Sequence, residues 1–397
     1  MTDKVVHVIT RLDRGGSAQN ALLTVLGHDR SRFVPMVVAG MPGRWDDQGG
    51  DEATEENRRR LERAGVRCLV LPTLTREINP RKDFTALLRL VALFRAERPA
   101  IVHTHTSKAG VLGRLAARLA RVPAVVHTPH GHVFYGHFGP VPSWAFLQIE
   151  RVLARTTTWL IALTEAEREE HLALKVGRPD RFAVIPSGID LERFRQVAGV
   201  AGRRPPGFDC PPDAIVVGSV GWLTPVKGHR VLIEALARLK PAHPTLCLVI
   251  VGSGILRAEL SALAARLGLR ESVRFLGERG DVPDCLAGMD IFVLPSLNEG
   301  MGRALIEAMA ARRPVVASRV GGVPAVVESR RTGLLVPPND PEALAAAIGE
   351  LLRRPDWAKE LATAGCESVG ERFGTGAMVR AVEAVYEKAL EDVRRET

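Results

Sequence analysis

"AIVVGSVGWLTPVKGHRVLIEAL", residues 214–236, decides how the rest of the chain is read. It opens with an apolar, β-branched run of the kind found in strands buried on both faces of a parallel sheet. A glycine turn carrying Lys227 and Gly228 follows, and a helix pattern begins directly after it. Strand, glycine turn and helix together make the opening of a βαβ unit.

Working outward, the same alternation of short apolar runs and longer helical patterns fills nearly the whole of the 397 residues. Upstream, strands are expected at 4–10, 33–40, 66–71, 100–105, 124–130, 159–163 and 182–187. The second series comprises 214–222, 245–252, 273–277, 290–296, 314–318 and 332–338. Two series predict two sheets, one per domain, in keeping with a chain too long for one ordinary core. Residues 1–197 form the expected N-terminal domain and 214–377 the C-terminal one, joined by a Pro- and Gly-rich linker at 198–213. The stretch 42–60 reads as a polar loop, and 375–396 as an amphipathic helix with Met378, Val379, Val382, Val385, Tyr386 and Leu390 on one face.

Composition excludes several classes. Apolar residues at 46% and charged residues at 25% describe a globular chain, not a disordered one. No apolar run is long enough to span a bilayer, and "MTDKVVHVIT" carries no secretory pattern, so a cytoplasmic protein is expected. Five cysteines without a close pair predict neither a disulfide frame nor a zinc knuckle. The net charge of +9 favours anionic partners, while 5% aromatics with no basic residues interleaved argue against nucleic acid.

In doubly wound sheets, ligands bind beyond the carboxyl ends of the strands, where helix N-termini offer free N–H groups and a partial positive charge. Four places fit. Gly15 and Gly16 follow the first strand and open the first helix, either as a plain turn or as a close approach to a phosphate or sugar. Histidines crowd positions 103, 105, 127, 130, 132 and 137. They can bond backbone at strand ends, bind zinc or touch substrate, the last centred on His130. Lys227 is either a solvated lysine or a point charge for a diphosphate. In "PSLNEGMGRALIEAMA", 295–310, Glu299 stands on the loop after a strand and Glu307 a turn or so into the next helix. Gly300, Met301 and Gly302 expose amides between them, and the two glutamates either accept from sugar and ribose hydroxyls or are an acidic residue favoured by the helix dipole and a solvated one.

These pieces, with "IPSGIDLERF" at 185–194 and "RPVVASRVGGVPAVVESRRTGLLVPPNDPEALAAAI" at 313–348, resemble in order and separation the retaining glycosyltransferases of family 4. The resemblance covers nearly the whole chain and is most specific over 214–348. It implies the α/β GT-B fold, two Rossmann-like doubly wound domains facing a deep interdomain cleft. A C-terminal helix from about 378 to 397 would pack back on the first domain.

It further implies metal-independent, cofactor-free transfer of a sugar from a nucleoside diphosphate donor. Glu299 would hold the donor sugar, Glu307 the ribose and Lys227 the diphosphate. Backbone at Gly15, Gly16, Gly300, Met301 and Gly302 would meet phosphate and sugar, His130 would lie against the sugar ring, and the base would rest near Leu276 and Gly277. Where the family carries an arginine, this chain has Trp222, so that Arg303 supplies the missing charge, or the donor binds more weakly, or activity is lost. Ser187 replaces a common asparagine.

The acceptor is expected on the first domain. Arg114, Arg118 and Arg121 on the helix at 107–123 form a basic face beside Leu115 and Leu119, suited to anionic lipid or a lipid diphosphate, or simply solvated. A saccharide or polyprenyl-diphosphate-linked acceptor at the inner face of the membrane is the first expectation. A nucleotide-sugar epimerase or hydrolase on the same fold, or a non-catalytic sugar-nucleotide binder, is the alternative.

Overall fold

The structure is a computed structural model that describes residues 2–41, 50–131, 139–198 and 204–396. The chain divides into two compact units, Met1–Gly188 with Thr375–Thr397, and Ile189–Gly374.

The first unit runs β1 (Asp3–Ile9), α1 (Gly16–Gly27), β2 (Phe33–Gly40), α2 (Gly50–Arg63), β3 (Arg67–Leu71), α3 (Pro80–Glu97) and β4 (Ile101–His105). It continues with α4 (Ser107–Ala120), β5 (Ala124–Thr128), α5 (Pro140–Ala154), β6 (Trp159–Ala162), α6 (Glu165–Ala173) and β7 (Phe182–Val184). The second unit holds α7 (Leu191–Arg195), β8 (Val216–Val220), α8 (His229–Leu239), β9 (Cys247–Val251), α9 (Arg257–Arg266), β10 (Val273–Gly277) and α10 (Val282–Ala287). After these come β11 (Ile291–Leu294), α11 (Arg303–Ala310), β12 (Val315–Ser318), β13 (Leu334–Val336), α12 (Pro341–Arg353) and α13 (Pro355–Val369). The last helix, α14 (Thr375–Glu396), belongs to the first unit.

Among the described residues the named strands pair in parallel, in the order β3-β2-β1-β4-β5-β6-β7 in one unit and β10-β9-β8-β11-β12-β13 in the other. Apolar side chains alternate between the two faces of each strand, and helices cover both. In the first unit Val6, Val8 and Val38 pack with α3 and α4, whereas Val5, Ile101 and Val126 pack with Met378, Val382 and Tyr386 of α14. Both sheets reverse direction once, between β1 and β4 and between β8 and β11. At such a reversal the two flanking loops diverge and leave a crevice beyond the strand ends.

Four expectations differ from the structure. Residues 50–60 are helical: Ala53, Asn57 and Leu61 are buried at a spacing of four, and Glu55 pairs with Arg58 and Arg59 on the outer face. Residues 42–49 lie outside the described chain. Cys210 and Cys247 form a disulfide although 37 positions apart, because pairing of β8 with β9 sets Val216 beside Cys247 and the segment before β8 folds back along it. That segment is therefore not a free linker from 204 onward. Phe208 is buried, and Pro206 accepts a bond from Arg279 at 2.9 Å. The division between units also falls at Gly188, since Ile189 N–H bonds Phe373 O at 2.8 Å.

Candidate active site

The crevice of the second unit is built from the loops after β8 and β11. After β8 the chain makes a 3-10 turn, Pro225–Lys227, closed by Gly228 in the left-handed region at φ 64°. A Cβ at Gly228 would stand 2.0 Å from Pro295 O, so only glycine allows the two loops to meet. The amide of Leu297 then bonds Val226 O at 2.7 Å, joining them.

This juncture sets Lys227 against Glu299. Nζ lies 2.8 Å from both Oε1 and Oε2, with the lysine side chain 24% and the carboxylate 12% exposed. Two residues 72 positions apart are thus joined at the reversal of the sheet. Glu299 is held from behind as well: Gly322 N–H donates to its carbonyl at 3.1 Å, and a Cβ at Gly321 would lie 1.9 Å from that oxygen. The Gly321–Gly322 pair stands just past β12, and a glycine pair at a strand end is the feature of the sequence that marks this support.

Beyond Glu299, the amides of Gly300, Met301 and Gly302 donate to nothing among the described residues. Gly302, at φ 84°, caps α11 and turns the chain into the helix. Arg303 Nε donates to Glu307 Oε1 at 2.8 Å, one helical turn on. Burial raises the Glu307 carboxyl above its usual range against the pull of Arg303 and then Arg193. Arg193, on α7, donates to Gly280 O at 2.7 Å and was not singled out from the sequence. Among the described residues, Ser219 Oγ on β8, Ser296 Oγ beyond β11 and His229 Nδ1 at the start of α8 are also buried without a hydrogen-bond partner. Such atoms are rare in native folds.

Leu276 and Gly277 end β10, three strands from β11 along the same carboxyl edge, about 14 Å at ordinary strand spacing. Trp222 is half-buried, and its carbonyl accepts from Thr224 at 2.9 Å, so the turn forms with tryptophan in place.

In the first unit, Gly15 caps α1 and Gly16 begins it, but the Gly15 amide is already bonded to Asp13 Oδ1 at 2.8 Å. His130 stands two residues past β5 at φ 60°, a conformation uncommon for a side-chain-bearing residue. The turn is fastened by Gly131 N–H on Glu167 Oε1 at 2.9 Å. Desolvation pushes the His130 pKa down to about 3.

The other histidines are not gathered at a rim. His103 and His105 point from β4 into the layer beneath α14, and His127 points to the opposite face of the sheet under α4, all at most 1% exposed. His7, His103 and His105 bring ring nitrogens within 4.8 Å of one another, and hydrogen bonds engage all of these rings. His132 and His137 lie outside the described residues. The expected arginine face also dissolves. Arg114 is 1% exposed and bonds both oxygens of Glu150 at 2.6 and 2.8 Å, which leaves Arg118 and Arg121 at the surface.

Known proteins match this architecture over both units. The family model described as Glycosyl transferases group 1 matches residues 207–367, and the Glycosyl transferase 4-like domain matches 6–188. An Escherichia coli UDP-Gal:alpha-D-GlcNAc-diphosphoundecaprenol alpha-1,3-galactosyltransferase is 35% identical over 286 residues, 71% of this chain and 74% of its own. A D-inositol 3-phosphate glycosyltransferase of Streptomyces bingchenggensis is 33% identical over 312 residues, 74% and 68% of the two chains. Among solved structures, Anabaena HepE in complex with UDP and glucose aligns at a TM-score of 0.80 and 23% identity, covering 97% of this chain and 100% of that one. At that identity the likeness speaks for the fold alone.

Proposed function

Because the chain belongs to the group 1 glycosyltransferases and has their two-domain, Rossmann-like GT-B fold, we propose that it moves a sugar from a nucleoside diphosphate donor with retention of configuration and without a metal ion. The observation that carries this reading is the doubly bonded Lys227–Glu299 pair beside three unbonded amides at the β8/β11 reversal. An ammonium, open N–H groups and a helix N-terminus converge there, as a departing diphosphate requires.

In this reading Glu299 accepts from the sugar hydroxyls and Lys227 turns its remaining N–H toward the diphosphate. Glu307, steadied by Arg303, takes the ribose, and Gly300, Met301 and Gly302 bond phosphate and sugar oxygens through their amides. Leu276 and Gly277 lie under the base, Gly16 with Gly15 meets a phosphate, and His130 meets the sugar ring. Among the described residues the amides, Lys227 and the α11 N-terminus do the work that a bound cation would otherwise do for the leaving group. The leaving phosphate oxygen takes the acceptor's proton on the face where the new bond forms.

The acceptor is proposed to be lipid-linked, as the name of the Escherichia coli relative describes for that protein. A face to meet the membrane is offered by α4 and the helices packed against it, α3 and α5, which expose Phe84, Leu88, Leu119, Trp144 and Val152, with Arg118 and Arg121 exposed on and after α4. No helix of the described residues is long and apolar enough to cross a bilayer. The proposed site of action is the cytoplasmic face, where the Cys210–Cys247 pair would meet reducing conditions.

A panel of UDP-glucose, UDP-galactose, UDP-N-acetylglucosamine and GDP-mannose tests the reading, with and without lipid-linked acceptor and with and without chelator. Acceptor-dependent nucleotide release that survives chelation, giving a product of unchanged anomeric configuration, supports it. A changed donor sugar would mean epimerisation, and binding without turnover a non-catalytic role.

A further inference from the structure

The first unit contains a buried row of side chains to which the proposed reaction assigns no task. From α14, Glu383 Oε1 stands 3.1 Å from His28 Nδ1 and accepts the amide of Asp29 at 2.8 Å. His28 Nε2 lies 3.2 Å from His7 Nε2, and His7 Nδ1 lies 3.1 Å from His105 Nε2. His105 Nδ1 in turn lies 3.0 Å from His130 Nε2. The three intervening histidines are 4%, 0% and 0% exposed, so the row runs through the interior.

A neutral imidazole has one N–H and one lone pair, and a carboxylate has only acceptors. Starting from Glu383, every proton in the row is therefore assigned. His28 donates from Nδ1 and accepts at Nε2, His7 donates from Nε2 and accepts at Nδ1, and His105 repeats the pattern. His130 must donate from Nε2, which leaves a lone pair on Nδ1. No described residue donates to it.

The side branch agrees. Tyr386 O–H donates to His103 Nδ1 at 2.6 Å, His103 Nε2–H donates to Thr128 Oγ1 at 2.8 Å, and the tyrosine oxygen shares the His7 Nε2 proton at 3.4 Å. Among the described residues, the only other charged group bonded or ion-paired to the row is Arg32, 3.9 Å from Glu383 Oε2. Burial holds His7, His103 and His105 well below the usual imidazole range, and His28 below it despite Glu383.

We propose that Glu383, acting through His28, His7 and His105, fixes the tautomer of His130 so that Nδ1 is presented as an acceptor for a hydroxyl of the donor sugar. Glu383 and the three histidines are positioning residues; only His130 touches substrate. The proposal rests on the reading that His130 meets that sugar.

Nitrogen-15 NMR of histidine-labelled protein reads each tautomer directly. The expected wild-type result is Nε2–H at His7, His105 and His130 and Nδ1–H at His28. Glu383→Leu, which removes the acceptor, should give mixed tautomers along the row and lower kcat on the donor panel about tenfold with KM within about twofold. That is far less than the roughly 10⁴-fold loss seen where a tautomer-fixing carboxylate serves a general base. Glu383→Gln, which keeps an acceptor oxygen, should restore both.

Nδ1–H at His130 in the wild type would overturn the proposal, and this readout needs no variant to fold. An unchanged His130 tautomer in Glu383→Leu would overturn it too. If instead the tautomers are as expected while His130→Ala turns over normally, the sugar contact is wrong and the proposal falls with it, though the proton order stands.

Discussion

At the scale of single residues, the molecule concentrates opposite charges where its second sheet reverses. A lysine ammonium held by two carboxylate oxygens at 2.8 Å is largely neutralised until a ligand competes for it. Lys227→Ala and Glu299→Ala are each expected to lower turnover on the donor panel about 10²- to 10³-fold, the usual cost of losing a group that stabilises developing charge. Because the two side chains act as a pair, the double variant should lose much less than the product of the single losses, measurable in a kinetic double-mutant cycle. Gly228→Ala should be destabilised by more than about 1 kcal/mol, since the new Cβ meets both a left-handed backbone and Pro295 O. Thermal unfolding checks it.

At the scale of elements, the strands were legible and the fine placement of polar side chains was not. Apolar runs such as 100–105 announce a strand whichever way it faces, so all the expected strand positions are occupied. The same periodicity cannot say that His103 and His105 point inward, because that depends on α14, some 280 positions later. Arg114 misled for a like reason: spacing places it near Arg118, but Glu150 on α5 draws it beneath the surface. Arg114→Ala is therefore expected to cost roughly 3–5 kcal/mol of stability, as breaking a buried ion pair does, with little effect on vesicle binding per folded molecule. Arg118→Ala with Arg121→Ala should do the reverse, losing binding to anionic vesicles in a sedimentation assay with little change in stability.

The buried imidazoles add a pH dependence of known sign. His7, His28, His103, His105, His127 and His130 all have folded pKa values below the unfolded value of 6.5, and His229 joins them at about 3. The unfolded chain then binds more protons, so the stability these rings confer is present above pH 6.5 and drains away as pH falls toward the depressed folded values. Glu307, raised by burial, works in the opposite direction above its ordinary range. Calorimetry should show Tm level near pH 7 to 8 and falling steadily from about pH 6.5 downward, before ordinary carboxylates titrate.

At the scale of the whole molecule, two βα series produce two parallel sheets, each with one reversal, and α14 returns to the sheet that began the chain. The disulfide between Cys210 and Cys247 fixes a segment that composition alone marked as a linker. Closing a loop of that length contributes roughly 3–4 kcal/mol in the chain-entropy picture. Thiol titration of the unreduced, denatured protein should count Cys68, Cys285 and Cys366 only.

The account depends most on the β8/β11 crevice being where the donor binds. A crystal structure with a non-hydrolysable nucleoside diphosphate sugar bound tests this directly. The expected result is a diphosphate within hydrogen-bonding distance of Lys227 Nζ and the Gly300–Gly302 amides, with Glu299 on the sugar hydroxyls. A donor seated elsewhere, with the Lys227–Glu299 pair still closed on itself, would contradict the account.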